Sequence, residues 1–310
     1  MLRFAAIRLL QFPLILAVIY VITFLLAWVA PGSPFEREDR LVDPAVIEAR
    51  KRQLHAETPW TFLAHYPKQI LTEGDFGPSL YYAEWTVNDI LKSALPISVT
   101  LGLFAVTLAA FAGVGLGTLA AVKRGGVYDW VSLVVALVGI SVPSFVAAAV
   151  LLIVFTSKLK WFDVGSWGGV DDLVLPGIAL ALAPMAYIAR LTRVAMLDVL
   201  GSDYVRTARA KGLSRPAVVW KHCLRNALLP VVSYLGPAAA ATMTGSFVVE
   251  KVFNIPGLGQ HFVNSVLNRD QTLILGTVMV YSVLLLTFNL LVDLSYALID
   301  PRIEVGGLAT

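Results

Sequence analysis

Six runs of uncharged, mostly apolar residues punctuate the chain, at 9–30, 93–122, 131–157, 173–189, 226–249 and 271–292. A bilayer's hydrocarbon core takes about 20 residues of helix, with a range of about 17–25. Each run is therefore long enough to cross, the fourth only just at 17 residues. Continuous apolar runs of this length read as helices, not as buried strands. The pattern predicts an all-α polytopic membrane protein with six transmembrane helices. Run one follows Arg3 and Arg8 as a secretory signal would, but its 22 residues exceed the usual ~7–15 of a signal core. Trp28-Val29-Ala30-Pro31 is also a poor small-x-small cleavage site, so 1–30 is expected to stay as an anchor helix.

Composition agrees with the pattern. The 310 residues are 57% hydrophobic and 15% charged, with a mean hydropathy of +0.75. A soluble domain carries about 25% charge, so a water-soluble globule, a disordered chain and a coiled coil are excluded. A single cysteine, Cys223, rules out an internal disulfide, and four histidines (55, 65, 222 and 261) are too scattered for a local metal motif. No resident metal is expected.

The distribution of Lys and Arg orients the spans. With the N-terminus inside, the inner loops and tail collect thirteen basic residues, eight of them between 190 and 225. The short outer loops hold four: Lys158, Lys160, Lys251 and Arg269. Both termini are expected in the cytoplasm, with 301–310 as a cytoplasmic tail. The remaining outer segment, 31–92, is rich in charges and turn formers, and 44–55 has the mixture of a short amphipathic helix. It reads as an ordered outer cap on the helix ends, with contact to an external partner as the sharper alternative.

The chemistry that is missing narrows the function. No phosphate-binding loop, His-Glu-x-x-His zinc motif or Gly-x-Ser-x-Gly elbow occurs. The string Gly113-Val114-Gly115-Leu116-Gly117-Thr118 lies inside the second run and reads as a helix-packing face. Pro143, Pro184 and Pro237 can interrupt backbone hydrogen bonding in mid-span, and uncharged polar residues such as Ser98, Thr107, Thr242 and Ser246 are frequent. Such spans suit the passage of a solute, with energy supplied from elsewhere.

The inner segment 190–225 carries the most information. A positive-inside loop explains its charge of +6 but not its 36 residues. It reads as a helix, Asp203-Tyr204-Val205-Arg206-Thr207-Ala208-Arg209-Ala210-Lys211, a stop at Gly212, and a second helix from Pro216 to His222.

This loop resembles the cytoplasmic coupling loop of binding-protein-dependent ABC importer permeases. Gly212 takes the place of the motif glycine, Arg206-Thr207-Ala208 that of Glu-Ala-Ala, and His222-Cys223-Leu224-Arg225 that of Ile-x-Leu-Pro. Only Ala208, Gly212 and Leu224 match the general form, yet Arg206-Thr207-Ala208-Arg209-Ala210-Lys211-Gly212-Leu213 is similar to the oligopeptide/dipeptide branch, B type. Further segments resemble that branch in order along the chain: Ala30-Pro31-Gly32-Ser33-Pro34, Gly74-Asp75-Phe76-Gly77-Pro78-Ser79, Pro143-Ser144-Phe145, Ala227-Leu228-Leu229-Pro230, the stretch 250–260 and the stretch 296–302.

The resemblance implies a type I ABC importer permease fold, with the transmembrane domain over 93–300. It implies an inner-membrane subunit of a bacterium that forms half of a pore for oligopeptides or dipeptides. The other half would be a homologous second permease. Two ABC ATPases would bind the ATP, which this chain would not, and an extracytoplasmic solute-binding protein would deliver the peptide. Membrane lipid would surround the subunit, and nucleic acid has no part. Residues 203–213 would dock on an ATPase, with Ala208 small because a close helix–groove contact leaves no room. Glu250, Phe253, Pro256, Gly257 and Gly259 would belong to the external gate or binding-protein loop. Glutathione or a nickel chelate remains an alternative cargo. A self-contained secondary transporter or an intramembrane hydrolase is the alternative from another class; the first would show inverted repeats and broken helices and the second a nucleophile with its base, and neither is visible.

Overall fold

A computed structural model of the chain describes residues 2–30, 44–82, 84–163, 165 and 167–299. The turn-rich residues 31–43 and the tail 300–310 lie outside the described residues. Among the described residues every regular element is a helix. In order these are α1 (Leu2–Val29), α2 (Pro44–Gln53), α3 (Pro59–Glu73), α4 (Val87–Val122), α5 (Val127–Ser141) and α6 (Ser144–Leu151), which a π-helical stretch, Leu152–Lys158, prolongs. Then come α7 (Asp171–Leu200), α8 (Asp203–Ala210), α9 (Arg215–Ala217), a π-helix (Val218–Cys223), α10 (Leu224–Ala227), α11 (Leu229–Phe253), α12 (Leu258–Leu267) and α13 (Gln271–Ile299).

α1, α4, α7 and α13 are long and apolar enough to cross a membrane, and the pair α5–α6 makes up to five. Two runs need correcting. The third, 131–157, is not one straight span: α5 and the α6 segment meet at 108°. Pro143 disfavours helical geometry in the residue before it, and Val142 accordingly sits extended at ψ 120°. Pro184 and Pro237, by contrast, lie within continuous helices. The fourth run, 173–189, is the middle of a 30-residue helix that continues through Arg190, Arg193 and Asp198. A charge ends an apolar run without ending a helix. For the same reason α4 starts at Val87, before the apolar run, where Thr86 and Asp89 cap each other: each backbone N–H donates to the other's side chain at 3.1 Å.

The chain forms two compact units, one of residues 1–5, 99–255 and 287–310 and a smaller one of 6–98 and 256–286. In the smaller unit Tyr20 and Phe24 of α1 pack on Phe62 and Tyr66 of α3, with ring centroids 5.1–6.4 Å apart. Buried Tyr66 places its hydroxyl 3.1 Å from the Phe76 carbonyl and 2.9 Å from that of Thr272. Asp270, fully buried, caps α13 by accepting from the Leu273 N–H at 3.1 Å. It also accepts from the Ser79 hydroxyl and, at 3.1 Å, from the Tyr81 N–H. The described part of segment 31–92 is thus a layer tied to α1 and α13. His55 and His65, ten residues apart, bring their rings to 3.8 Å across the α2–α3 corner.

In the larger unit α7 is the central helix, packed on α5, α6 and α11. A Cβ on Gly113 of α4 would lie 2.8 Å from the Met185 carbonyl oxygen, and one on Gly117 would collide with the Ala189 carbonyl. Only glycine lets α4 and α7 approach this closely. Gly115, between them, faces open space. The packing face therefore includes two glycines of the string and not the third.

Candidate functional site

In the basic segment 190–225 the loop begins only at Gly201, since α7 runs to Leu200. Eight residues of α8 follow, and their burial is one-sided. Val205 and Ala208 are buried, whereas Asp203, Tyr204, Arg206, Thr207, Arg209, Ala210, Lys211 and Gly212 are exposed. The buried pair enters an apolar cluster with Ala121 of α4, Met196 of α7, and Val218, Cys223, Leu224 and Ala227 of the following helix. Residues three apart share a helix face, so one side of α8 is fastened to its own chain and the other is left to the surroundings. Ala208, expected to be small for a close partner contact, packs inside the subunit's own cluster.

The end of α8 is locked locally. The Leu213 N–H donates to the Ala208 carbonyl at 3.3 Å and the Gly212 N–H to the Arg209 carbonyl at 3.0 Å. Gly212 stands at φ +80°. This double closure needs a left-handed residue at Gly212 and puts half-buried Leu213 back against the cluster. The chain reverses, Pro216 lies in the first turn of the next helix, and that helix runs on through the π-turn to Ala227. A hydrogen bond from the Asn226 amide to the Tyr204 hydroxyl, 2.8 Å, ties the two helices at the surface. Exposed Arg206, Arg209, Lys211, Arg215, Lys221 and Arg225 make the outer surface basic.

Cys223 has no exposed area, and burial pushes its thiol pKa up while Arg209 pulls it weakly down. A thiol that is both covered and protonated reacts slowly. We expect a maleimide added to the folded protein, from either side of the membrane, to leave Cys223 unmodified, and to label it after denaturation. Rapid labelling of the folded protein would mean the α8 cluster opens readily.

Sequence reasoning missed one ion pair. Arg193 grips Asp129 with Nε to Oδ1 at 2.6 Å and Nη2 to Oδ2 at 3.1 Å, and the Gly125 N–H adds a third bond at 2.9 Å. It joins the first turn of α5 to α7 just ahead of the loop. Both residues sit at ends of apolar runs, where charges are commonplace, so nothing marked them as partners. The sequence also held no sign of a cleft of about 250 Å³ lined by Ser144, Tyr187, Tyr234 and Thr242 among others, with the two tyrosine rings 4.2 Å apart. It offers hydroxyls on an apolar wall.

The five candidate gate residues divide between the units. Glu250 and Phe253, both buried, close α11 in the larger one, where Asn254 ends the helix at φ 54° and the Ile255 N–H returns to the Glu250 carbonyl at 2.9 Å. In the smaller one Pro256 is exposed, while Gly257 and Gly259 are buried around the start of α12. There the Leu258 N–H donates to the Ser98 hydroxyl at 2.9 Å.

Comparison with known proteins follows the same lines. The profile of the family described as binding-protein-dependent transport system inner membrane component matches residues 113–305. The chain is 46% identical to the dipeptide transport system permease protein DppB of Bacillus subtilis (strain 168), over 93% of each chain. It is 42% identical to the oligopeptide transport system permease protein OppB of Haemophilus influenzae, over 98% of this chain and all of that one. Among solved structures, an inward-facing form of the MetNI methionine ABC transporter matches at a TM-score of 0.57 and 20% identity. The match covers 68% of this chain and 96% of that one, and carries the fold.

Proposed function

Since the chain belongs to the family of inner-membrane components of binding-protein-dependent transport systems, we propose that it forms half of a pore through which an ATP-driven importer carries dipeptides or oligopeptides. Its relatives over nearly the full length carry those substrates in their names. The chain is a multi-pass transport subunit, and the ATPase is a separate one. We assign six spans, counting α5–α6 as one and adding α11, with both termini and the α8 loop in the cytoplasm. The partners are a second permease of the same kind, two ATPase subunits and an extracytoplasmic binding protein.

The observation that carries the reading is the two-sided α8. Val205 and Ala208 fix the helix to the end of α7 and the helix entering α11, while its opposite face is exposed and basic. A displacement imposed on that face by an ATPase is passed to α7 and α11 with little slack. Two-state elements of this kind convert a local push into alternating access.

Gly212 provides the test. A Cβ there meets nothing within 4 Å, so substitution is limited by backbone alone. A left-handed L-residue costs about 1–2 kcal/mol, and a β-branched one more. Gly212→Val should lower peptide uptake about tenfold and disconnect ATP hydrolysis from peptide, at unchanged membrane abundance. Gly212→Asn should retain most activity, because asparagine tolerates this conformation. Arg209→Gln should be the mildest of the three. If Gly212→Val couples normally while Arg209→Gln fails, the loop is a lipid-facing basic tether instead. For orientation, exposed Lys211→Cys should react with impermeant maleimide in inside-out vesicles and not in intact cells.

A further inference from the structure

We propose that a groove beside the α8 loop binds an acyl chain of an anionic phospholipid, with the lipid phosphate held by Arg215. The groove holds about 730 Å³, within the range of small-molecule sites, ~300–1,000 Å³. It runs along α4 from Ala110 to Val122 and is closed on the other side by the helix from Arg215 into the start of α11. Arg215 is the one charged residue in its lining among the described residues. α4 reaches the inner loops at Val122 and α11 leaves them at Leu229, so Arg215 and Val122 mark the end of the groove nearest the cytoplasm. Ala110 and Leu235 mark its deep end.

One apolar slot with a cation at its interfacial end suits a lipid tail and its headgroup. Basic pockets between helices on the cytoplasmic side bind anionic headgroups in the same way. Trp220, 69% exposed in the lining, has the amphipathic ring that favours the headgroup level. Lys221 and Arg225, both exposed, lie on the same helix and add positive charge.

The groove has a direct path to the coupling helix. Val114, Val219, Leu224 and Leu228 line it and also pack in or against the cluster that receives Val205 and Ala208. A bound chain would therefore support that cluster from behind and stiffen the seat of α8. The proposal rests on the permease reading only for the leaflet that the loop occupies.

The test uses the full chain in its assembled transporter, in phosphatidylcholine vesicles. Phosphatidylglycerol and phosphatidylcholine carrying the same photoreactive acyl chain are compared as probes. Phosphatidylglycerol should label the peptides containing Phe111 and Trp220 several-fold more than phosphatidylcholine. Arg215→Gln, at an exposed position, should bring the two probes to parity. Gly115→Leu, whose side chain extends into empty space in the groove, should lower labelling by both. Equal labelling of the wild type by the two probes overturns the proposal, as does undiminished labelling of Gly115→Leu. So does cross-linking of a photoreactive group at position 220 to the second permease in place of lipid. Labelling needs neither peptide nor ATP. A chain that binds the lipid without carrying peptide would leave this inference standing and remove the transport reading.

Discussion

Glutamate at position 208 should clear the subunit from the membrane, whereas glutamate at 210 should leave it in place and silence it. The two positions lie about 200° apart on the same helix. Ala208 is 7% exposed inside the cluster with Met196, Val205, Val218 and Cys223. A carboxylate there loses its water among apolar neighbours, and the effective cost of burying an ion is several kcal/mol. That is a large share of the ~5–15 kcal/mol by which a typical protein stays folded. Ala210 is exposed, where a substitution usually changes stability by less than about 0.5 kcal/mol. Glutamate in the last turn adds a small dipole penalty, about 0.3–1 kcal/mol, and puts a negative charge on the basic face proposed to dock. The comparison needs membrane abundance, peptide uptake and peptide-stimulated ATPase activity for both variants. Wild-type abundance for Ala208→Glu would mean the helix is not seated as described. Full coupling in Ala210→Glu would remove the exposed face from the docking proposal.

The second large effect is expected at the ion pair. Asp129 and Arg193 side chains are 6% and 22% exposed, and their contact is two-pronged. Removing one partner strands the other charge, and because Arg193 is partly exposed, Asp129→Asn should be the milder single variant. Arg193→Met should be the more damaging variant, since it strands the better-buried Asp129. Asp129→Asn combined with Arg193→Met removes both charges and should restore much of the loss. Thermal unfolding of the detergent-solubilised protein gives the order, with the double variant melting above Arg193→Met alone. Additive losses would show that each residue acts separately. Because the pair joins α5 to the stretch of α7 that leads into the loop, partially folded variants should also couple poorly.

A feature is legible in the sequence when the interactions that cause it are local. Apolar runs marked α1, α4, α7 and α13 because a helix long enough to cross must be apolar for its whole membrane length. The stop at Gly212 and the restart at Pro216 were legible because φ restrictions act within one or two residues. The 108° bend at Val142 and Pro143 is local too, but a mid-span proline has two outcomes. Pro184 and Pro237 sit in unbroken helices, and packing decides between the two. Helix ends were misplaced at α4 and α7, since charged residues such as Lys92 and Arg193 stop hydrophobicity without stopping hydrogen bonding.

The sequence alone determined that the chain lives in a membrane and that a helix starting at Asp203 is stopped by Gly212. Each follows from composition or from backbone sterics, which need no knowledge of distant neighbours. Only the tertiary structure decided which side of that helix is free. Ala208 and Ala210 are the same residue type two positions apart, and what distinguishes them is a cluster assembled from α4, α7 and the helix after Gly212. The partnership of Asp129 with Arg193 and the open space at Gly115 are likewise products of long-range packing, where residues tens of positions apart are brought within a few ångströms.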